Sequence, residues 1–275
     1  STPIKSSAAS DVYKRQEFFD FMMENGLMDV LSRKGKAAGG YCTELPDFES
    51  PFIFANFNGT QGDVEVITHE AGHAFAAYTT RHMFPTDNRQ PTLESCEIHS
   101  MTMEFFGWAS ADDFFGEEAD KFCYKHLADA IEFIPYGAMV DHFQHSVYEH
   151  PEYTPEDRIN EWKRLTALYM PWIDLDGSPF YGEGRAWQRQ THIYERPFYY
   201  IDYCLAQTVA LEFWAIMQRD RSEALTRYMK LVDLGGTETF DGLVAAAGLD
   251  TPFGNNALRT VAEAAEKWLE ASPVK

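Results

Sequence analysis

The chain has 275 residues, 45% of them hydrophobic and 24% charged, which is enough apolar material for a full core and ordinary for a globular protein. Its formal net charge of −20 argues against nucleic acid as a partner, because a phosphate backbone demands a basic surface. No apolar run approaches the ~20 residues of a membrane-spanning helix, and the opening "STPIKSSAAS" has no apolar stretch of the signal-peptide kind, so a soluble cytoplasmic protein without a membrane partner is expected.

Residues 1–16, "STPIKSSAASDVYKRQ", are polar and patternless and read as a disordered tail or a fusion scar ahead of one domain over 17–275. "EFFDFMMENGLMDVL" (17–31) spaces Phe18, Phe21, Met22, Leu27 and Val30 at helical intervals, which predicts a helix. The Gly/Pro-rich residues 32–51 predict a loop, and the alternating, aromatic "FIFANF" (52–57) a strand. "NGTQGD" supplies turn and cap signals before a long helix from about Val64 to His82. Helical patterns follow over 93–109, 112–148, 155–169, 184–218, 221–233 and 255–271, interrupted mainly by the loop "MPWIDLDGSPFYGEG" (170–184). There are no internal repeats, so the expectation is one mainly α domain with a small β-sheet near residues 40–57. The four cysteines, Cys42, Cys96, Cys123 and Cys204, are widely spaced without a C-x-x-C pair and read as reduced, mostly buried thiols.

The chemistry concentrates in "VITHEAGHAFAAYTTR" (66–81). On a helix, positions i and i+4 lie one turn apart on one face, so His69 and His73 can point two imidazoles at one metal ion. Glu70 sits beside them, within reach of a metal-bound water, as in H-E-x-x-H hydrolases. A catalytic zinc normally has three protein ligands and an open position. Ala76 and Thr79 occupy the places where an extended motif would put its Gly and third His, so the third ligand must come from elsewhere. In "QPTLESCEIHSMTMEFF" (90–106), Glu97, Ser100, Met101 and Glu104 share one helical face, and carboxylates on an apolar face are costly unless paired or metal-bound. Glu97 is the preferred third ligand, Glu104 a carboxylate that orients an imidazole, and Glu94 the alternative ligand. His99 lies off that face and reads as structural.

Taken together, "HEAGHAF", "ESCEIHSMTME" and "HIYERPFYYIDY" resemble the oligoendopeptidase F and thimet-oligopeptidase family of zinc metallopeptidases. The similarity runs over about residues 17–275 and includes "GKAAGGYCT" and "LGGTETFDGLVAAAGLDTPF". It implies a zincin-like, largely helical catalytic domain around a deep channel, one Zn2+ ion, and cleavage of internal bonds in short, unfolded peptides. By position it also implies that His192, Tyr199 and Tyr203 face the metal and substrate, where His and Tyr can donate to an oxyanion. The edge of "FIFANF" is expected to hold an extended peptide, and the Gly39–Gly40 loop either approaches substrate or is a plain turn. Members of the family are usually about twice as long, and their N-terminal helical half has no counterpart here. A rival expectation is therefore a non-catalytic zinc-binding relative, acting as a scaffold or needing a complementing half. An acidic helical interaction module without metal would require all three motifs to be accidental. Oligomeric state is not indicated.

Overall fold

The computed structural model describes residue 14, residues 16–254 and residues 256–274. Apart from residues 14 and 16, the stretch expected to be a tail or scar lies outside the described residues. The chain forms two compact units, one from the residues up to Tyr124 together with those from Ala206, the other Lys125–Leu205. It is mostly helical with a small three-stranded sheet.

The first unit opens with helix α1 (16–24), which is shorter than its hydrophobic spacing predicts. Gly26 adopts φ +62°, and the Leu27 N–H bonds back to the Met22 carbonyl at 3.0 Å, a left-handed helix end that only glycine adopts at little cost. The chain then leaves as strand β1 (Met28–Leu31), so the expected helix over 28–31 is replaced by sheet. Part of the predicted loop likewise forms β2 (Tyr41–Leu45), and the predicted strand is β3 (Ser50–Phe57). The strand order is β1-β3-β2, with β1 parallel and β2 antiparallel to β3. Because β3 is central, the Phe52–Phe54 part of "FIFANF" is covered by β2, and the expected peptide-holding edge is not open there. Among the described residues, no strand pairs with the outer edge of β2.

Helix α2 (Gln61–Thr80) lies against this sheet, where Met22, Leu27, Ile53 and Ala74 form a buried cluster. Its start is fixed by Asp63, whose carboxylate accepts from the backbone N–H groups of Asn58 and Gly59. Helix α3 (Leu93–Gly107) packs on α2. The pattern expected over 112–148 divides at Gly116 (φ +53°) into α4 (Ala111–Phe115) and α5 (Ala119–Glu149).

The second unit takes in most of α5, then α6 (Pro155–Tyr169), whose Thr154/Asp157 capping box starts it where the sequence predicts. After the irregular 170–184 segment come a 3-10 turn (Ala186–Arg189), α7 (His192–Glu195) and the first residues of α8 (Tyr200–Met217). The helical pattern over 184–218 is thus broken, because Pro197 removes a donor and Phe198 takes φ +63°. Met139, Val140, Phe143, Trp162 and Leu165 form this unit's core.

The remainder of the first unit is α9 (Arg221–Leu234), α10 (Phe240–Ala246), which the sequence reading lacks, and α11 (Ala257–Ala271). Trp268 of α11 packs at 5.4 Å from Trp108 and 6.2 Å from Trp214. None of the four cysteines takes part in a disulfide, with Cys204 buried and the other three only partly so. Among the described residues, no helix is long and apolar enough to cross a membrane.

Candidate metal centre and the His192 cluster

Helix α2 presents His69 and His73 on one side, with ring centroids 5.0 Å apart. Helix α3 brings Glu97 Oε2 to 3.3 Å from His69 Nε2 and 3.5 Å from His73 Nε2. Those separations exceed the ~2.7–2.9 Å of a charge-assisted hydrogen bond. They match the roughly 3.3 Å expected between donors placed tetrahedrally at ~2.0–2.1 Å from one zinc ion. The three ligand atoms lie within 4.8 Å of one another and could hold a metal. Glu94 does not join them, and its carboxylate accepts from the Thr92 hydroxyl at 2.7 Å.

What lets the two helices come this close is Gly72, in the third position between the histidines. A Cβ there would stand 2.5 Å from the His99 carbonyl oxygen and 2.6 Å from Ser100 Cα, so α2 and α3 touch backbone to backbone. Around the cluster, Glu104 Oε1 is 2.7 Å from His69 Nδ1, which fixes that ring with Nε2 turned toward Glu97. The Ser100 hydroxyl lies 3.1 Å from Glu97 Oε2. Neither Gly72 nor its role is singled out by sequence reading, although a glycine inside a buried helical run is a signal of close backbone approach.

Burial alone would raise the Glu97 carboxyl, but hydrogen bonds from His69 and His73 outweigh it and hold Glu97 well below the usual carboxylate range. Burial works to lower His69, and the hydrogen bonds to Glu104 and Glu97 overcome it and raise His69 well above the ordinary histidine value. Glu70 is only 7% exposed, and burial pushes its pKa up. His69, His73 and the Cys42 backbone N–H act against that rise, and the Glu97 charge adds to it. The result is a carboxylate with increased proton affinity beside the metal-ligand cluster. Cys42 and Cys96 stay protonated thiols, each pushed up to about 12, first by burial and then by nearby carboxylates. His99 is fully buried with its pKa pulled down by burial to about 3, and its carbonyl accepts from the Tyr228 hydroxyl at 3.0 Å. It stands outside the ligand cluster.

In the second unit, His192 opens α7 and Tyr199 immediately precedes α8. The Tyr203 hydroxyl is 3.4 Å from His192 Nε2, and the Tyr199 and Tyr203 rings lie 4.9 Å apart. Tyr200 instead belongs to the core, with its phenol pKa raised by burial. Phe198 packs against His145 and Tyr148.

A family model, Peptidase family M3, matches residues 5–263. Among solved structures, the chain is similar to PZ peptidase A with inhibitor 2, at 46% identity and a TM-score of 0.91, covering 98% of this chain and 48% of that one. A second similar structure, assigned as oligoendopeptidase F, has 47% identity and a TM-score of 0.91 over 98% of this chain and 48% of that one. A third, with the same assignment and from Bacillus anthracis, has 43% identity and a TM-score of 0.84 over 97% of this chain and 45% of that one. The chain thus spans about half the length of these structures. Comparison with curated proteins gave no match. From its sequence match and its fold, the chain belongs to Peptidase family M3.

Proposed function

We propose that this chain is the catalytic part of a zinc-dependent endopeptidase that hydrolyses internal bonds of short peptides. The observation that carries the reading is the convergence of His69, His73 and Glu97 at tetrahedral-edge distances with Glu70 next in sequence to His69. One zinc ion suits two imidazoles and a carboxylate, and when bound it acidifies a coordinated water toward pKa ~7 and polarises a carbonyl. Glu70, whose burial increases its proton affinity, takes the proton of the attacking water and passes it to the leaving amine. Glu104 keeps the His69 ring oriented through Nδ1. His192 and Tyr203 donate hydrogen bonds to the carbonyl oxygen as it gains charge, and Tyr199 supports Tyr203 through its ring contact. For the substrate backbone we choose the outer edge of β2, the strand that also sends the Cys42 N–H to Glu70 and follows the Gly39–Gly40 turn. The cytoplasmic setting expected from the sequence belongs to the same reading.

The alternative, second reading is a zinc-binding relative that does not itself turn over peptide. Turnover of a quenched-fluorescent library of short peptides separates the two. The zinc-loaded parent is expected to cleave, and Glu70→Gln to retain its metal while losing at least roughly 100-fold in kcat, as befits loss of a general base. Equal turnover by both proteins sinks the Glu70 role, whereas no turnover by either favours the second reading.

A further inference from the structure

We propose that Gln190, itself fixed by Tyr136, is a positioning residue that sets the tautomer of His192 so that the imidazole proton resides on Nε2. Three side chains form a line inside the second unit. The Tyr136 hydroxyl is 2.9 Å from Gln190 Oε1, and Gln190 Nε2 is 2.8 Å from His192 Nδ1. Beyond it, the Tyr203 hydroxyl is 3.4 Å from His192 Nε2.

The direction of the line follows from the chemistry of its first member. Burial raises the Tyr136 pKa, with Arg189 acting in the opposite sense, so the phenol is neutral and carries its proton. A phenol is a strong donor and a weak acceptor, because its lone pair is shared with the ring. It therefore donates to the amide oxygen, which is the half of Gln190 that can only accept. That contact turns the amide NH2 toward His192. Facing a group that can only donate, Nδ1 must accept, and in a neutral imidazole the proton is then on Nε2. The backbone that carries the amide is held in place, since the Gln190 N–H is tied to the Trp187 carbonyl at 3.1 Å and Trp187 packs on Phe143 of the core, and the Tyr136 contact decides which way the amide faces. Sequence spacing supplies the rest, because "WQRQTH" puts Gln190 two residues before His192.

The consequence rests on the proposed peptidase reading: a neutral His192 whose Nε2–H is a donor, ready for an oxygen that gains charge during hydrolysis. The side opposite Gln190 then works as a donor without the imidazole having to become charged. An aspartate or glutamate in place of Gln190 would accept a hydrogen bond from Nδ1–H and so stabilise the imidazolium or the reversed tautomer.

The test reads the tautomer directly. The full chain, labelled with 15N-histidine, is examined by long-range 1H–15N correlation at pH 8, above the ordinary histidine pKa of about 6.5. The His192 signals are assigned by their loss in His192→Gln. The expected parent pattern is a pyridine-type Nδ1 and a pyrrole-type Nε2. Gln190→Glu is expected to move the proton onto Nδ1, and Tyr136→Phe to give a mixture of tautomers, with the remaining eight histidine patterns unchanged as a control for folding. A parent carrying its proton on Nδ1 overturns the inference, even if neither variant folds. So does a folded Gln190→Glu protein that keeps the parent pattern. In peptide turnover, Gln190→Glu is expected to lower kcat by roughly 10- to 10³-fold with little change in KM, the scale of a lost oxyanion donor or a wrong tautomer. An unchanged kcat with a reversed tautomer overturns the catalytic purpose of the device. A parent that cleaves nothing would count against the peptidase reading and leave the tautomer result standing.

Discussion

Glu212 shows at the scale of one residue how burial converts into a pH dependence. One of its carboxylate oxygens accepts the Asp250 backbone N–H at 2.9 Å, and the other is buried without a hydrogen-bond partner among the described residues. Burial pushes its pKa up to about 7, the Asp250 N–H opposes the rise and the Asp250 charge adds to it. Arg227 lines the same cavity but spends its donors on Glu223 and the Gly248 carbonyl. A carboxyl raised in the folded state binds its proton more tightly there than in the unfolded chain. Its favourable contribution is therefore complete below about pH 4.3 and lost as the pH rises through about 7. Replacing Glu212 with Gln is expected to stabilise the protein at pH 8 by about 1–2 kcal/mol, after discounting for the solvent that reaches this half-buried group. Thermal unfolding from pH 5 to 8 checks it, and the gain should vanish at the acid end. A gain of equal size at every pH would mean that packing, not ionisation, carries the effect. Nothing in the sequence around Glu212 marks it, because its environment comes from a turn 38 residues away. By contrast, His69, Glu70 and His73 are legible because their chemistry depends only on spacing along one helix.

At the scale of elements, the α2–α3 crossing decides whether the ligands meet, and Gly72 decides the crossing. The Gly72→Ala change puts a methyl group 2.5 Å from backbone that no side-chain rotation can move, so the helices must part. A destabilisation of about 1–3 kcal/mol is expected, the usual cost of overpacking. Zinc affinity should fall on the order of tenfold or more, as for other groups that position metal ligands. Gly62→Ala is the control on the same helix, since its Cβ would meet nothing nearer than the Thr60 hydroxyl at 3.7 Å. Calorimetric zinc titration of both variants reads the difference, and equal affinities would remove Gly72 from the positioning of the site. The same scale shows what sequence patterns convey. Long helices such as α2, α3 and α6 are legible from the length of their helical patterns, and α2 also from the turn and cap signals before it. Short elements are not: β1 has four residues in a stretch whose apolar spacing suits a helix, and only the left-handed Gly26 ends α1 before it. Helix α10 has seven residues, too few for a period to register. Likewise, β3 reads as a strand, but its central position depends on pairing with β1 and β2, which no local pattern encodes.

At the scale of the whole molecule, the proposed metal site would link binding to folding. Its three candidate ligands come from two helices, with His73 and Glu97 24 positions apart (97 − 73). An ion held by all three binds the folded chain and has no comparable site in the unfolded one. Such binding stabilises by mass action, about 2.7 kcal/mol when free zinc is 100 times its Kd. For a protein of this size that corresponds to a rise in Tm of roughly 5 °C. Scanning calorimetry of the chelator-stripped chain, with and without added zinc, should show the rise in the parent and its loss in Glu97→Ala, which removes the one ligand supplied by α3. His99→Gln, which lies on the same helix but outside the cluster, should keep most of the zinc-dependent shift even if its baseline Tm falls. The measurement also separates metal binding from catalysis. A zinc-dependent Tm without peptide turnover would leave the site intact and move the weight to a zinc-binding relative that does not itself turn over peptide. If zinc left the parent's Tm unchanged, the convergence of His69, His73 and Glu97 would be a hydrogen-bonded cluster and not a metal site, and the proposed peptidase chemistry would lose its basis.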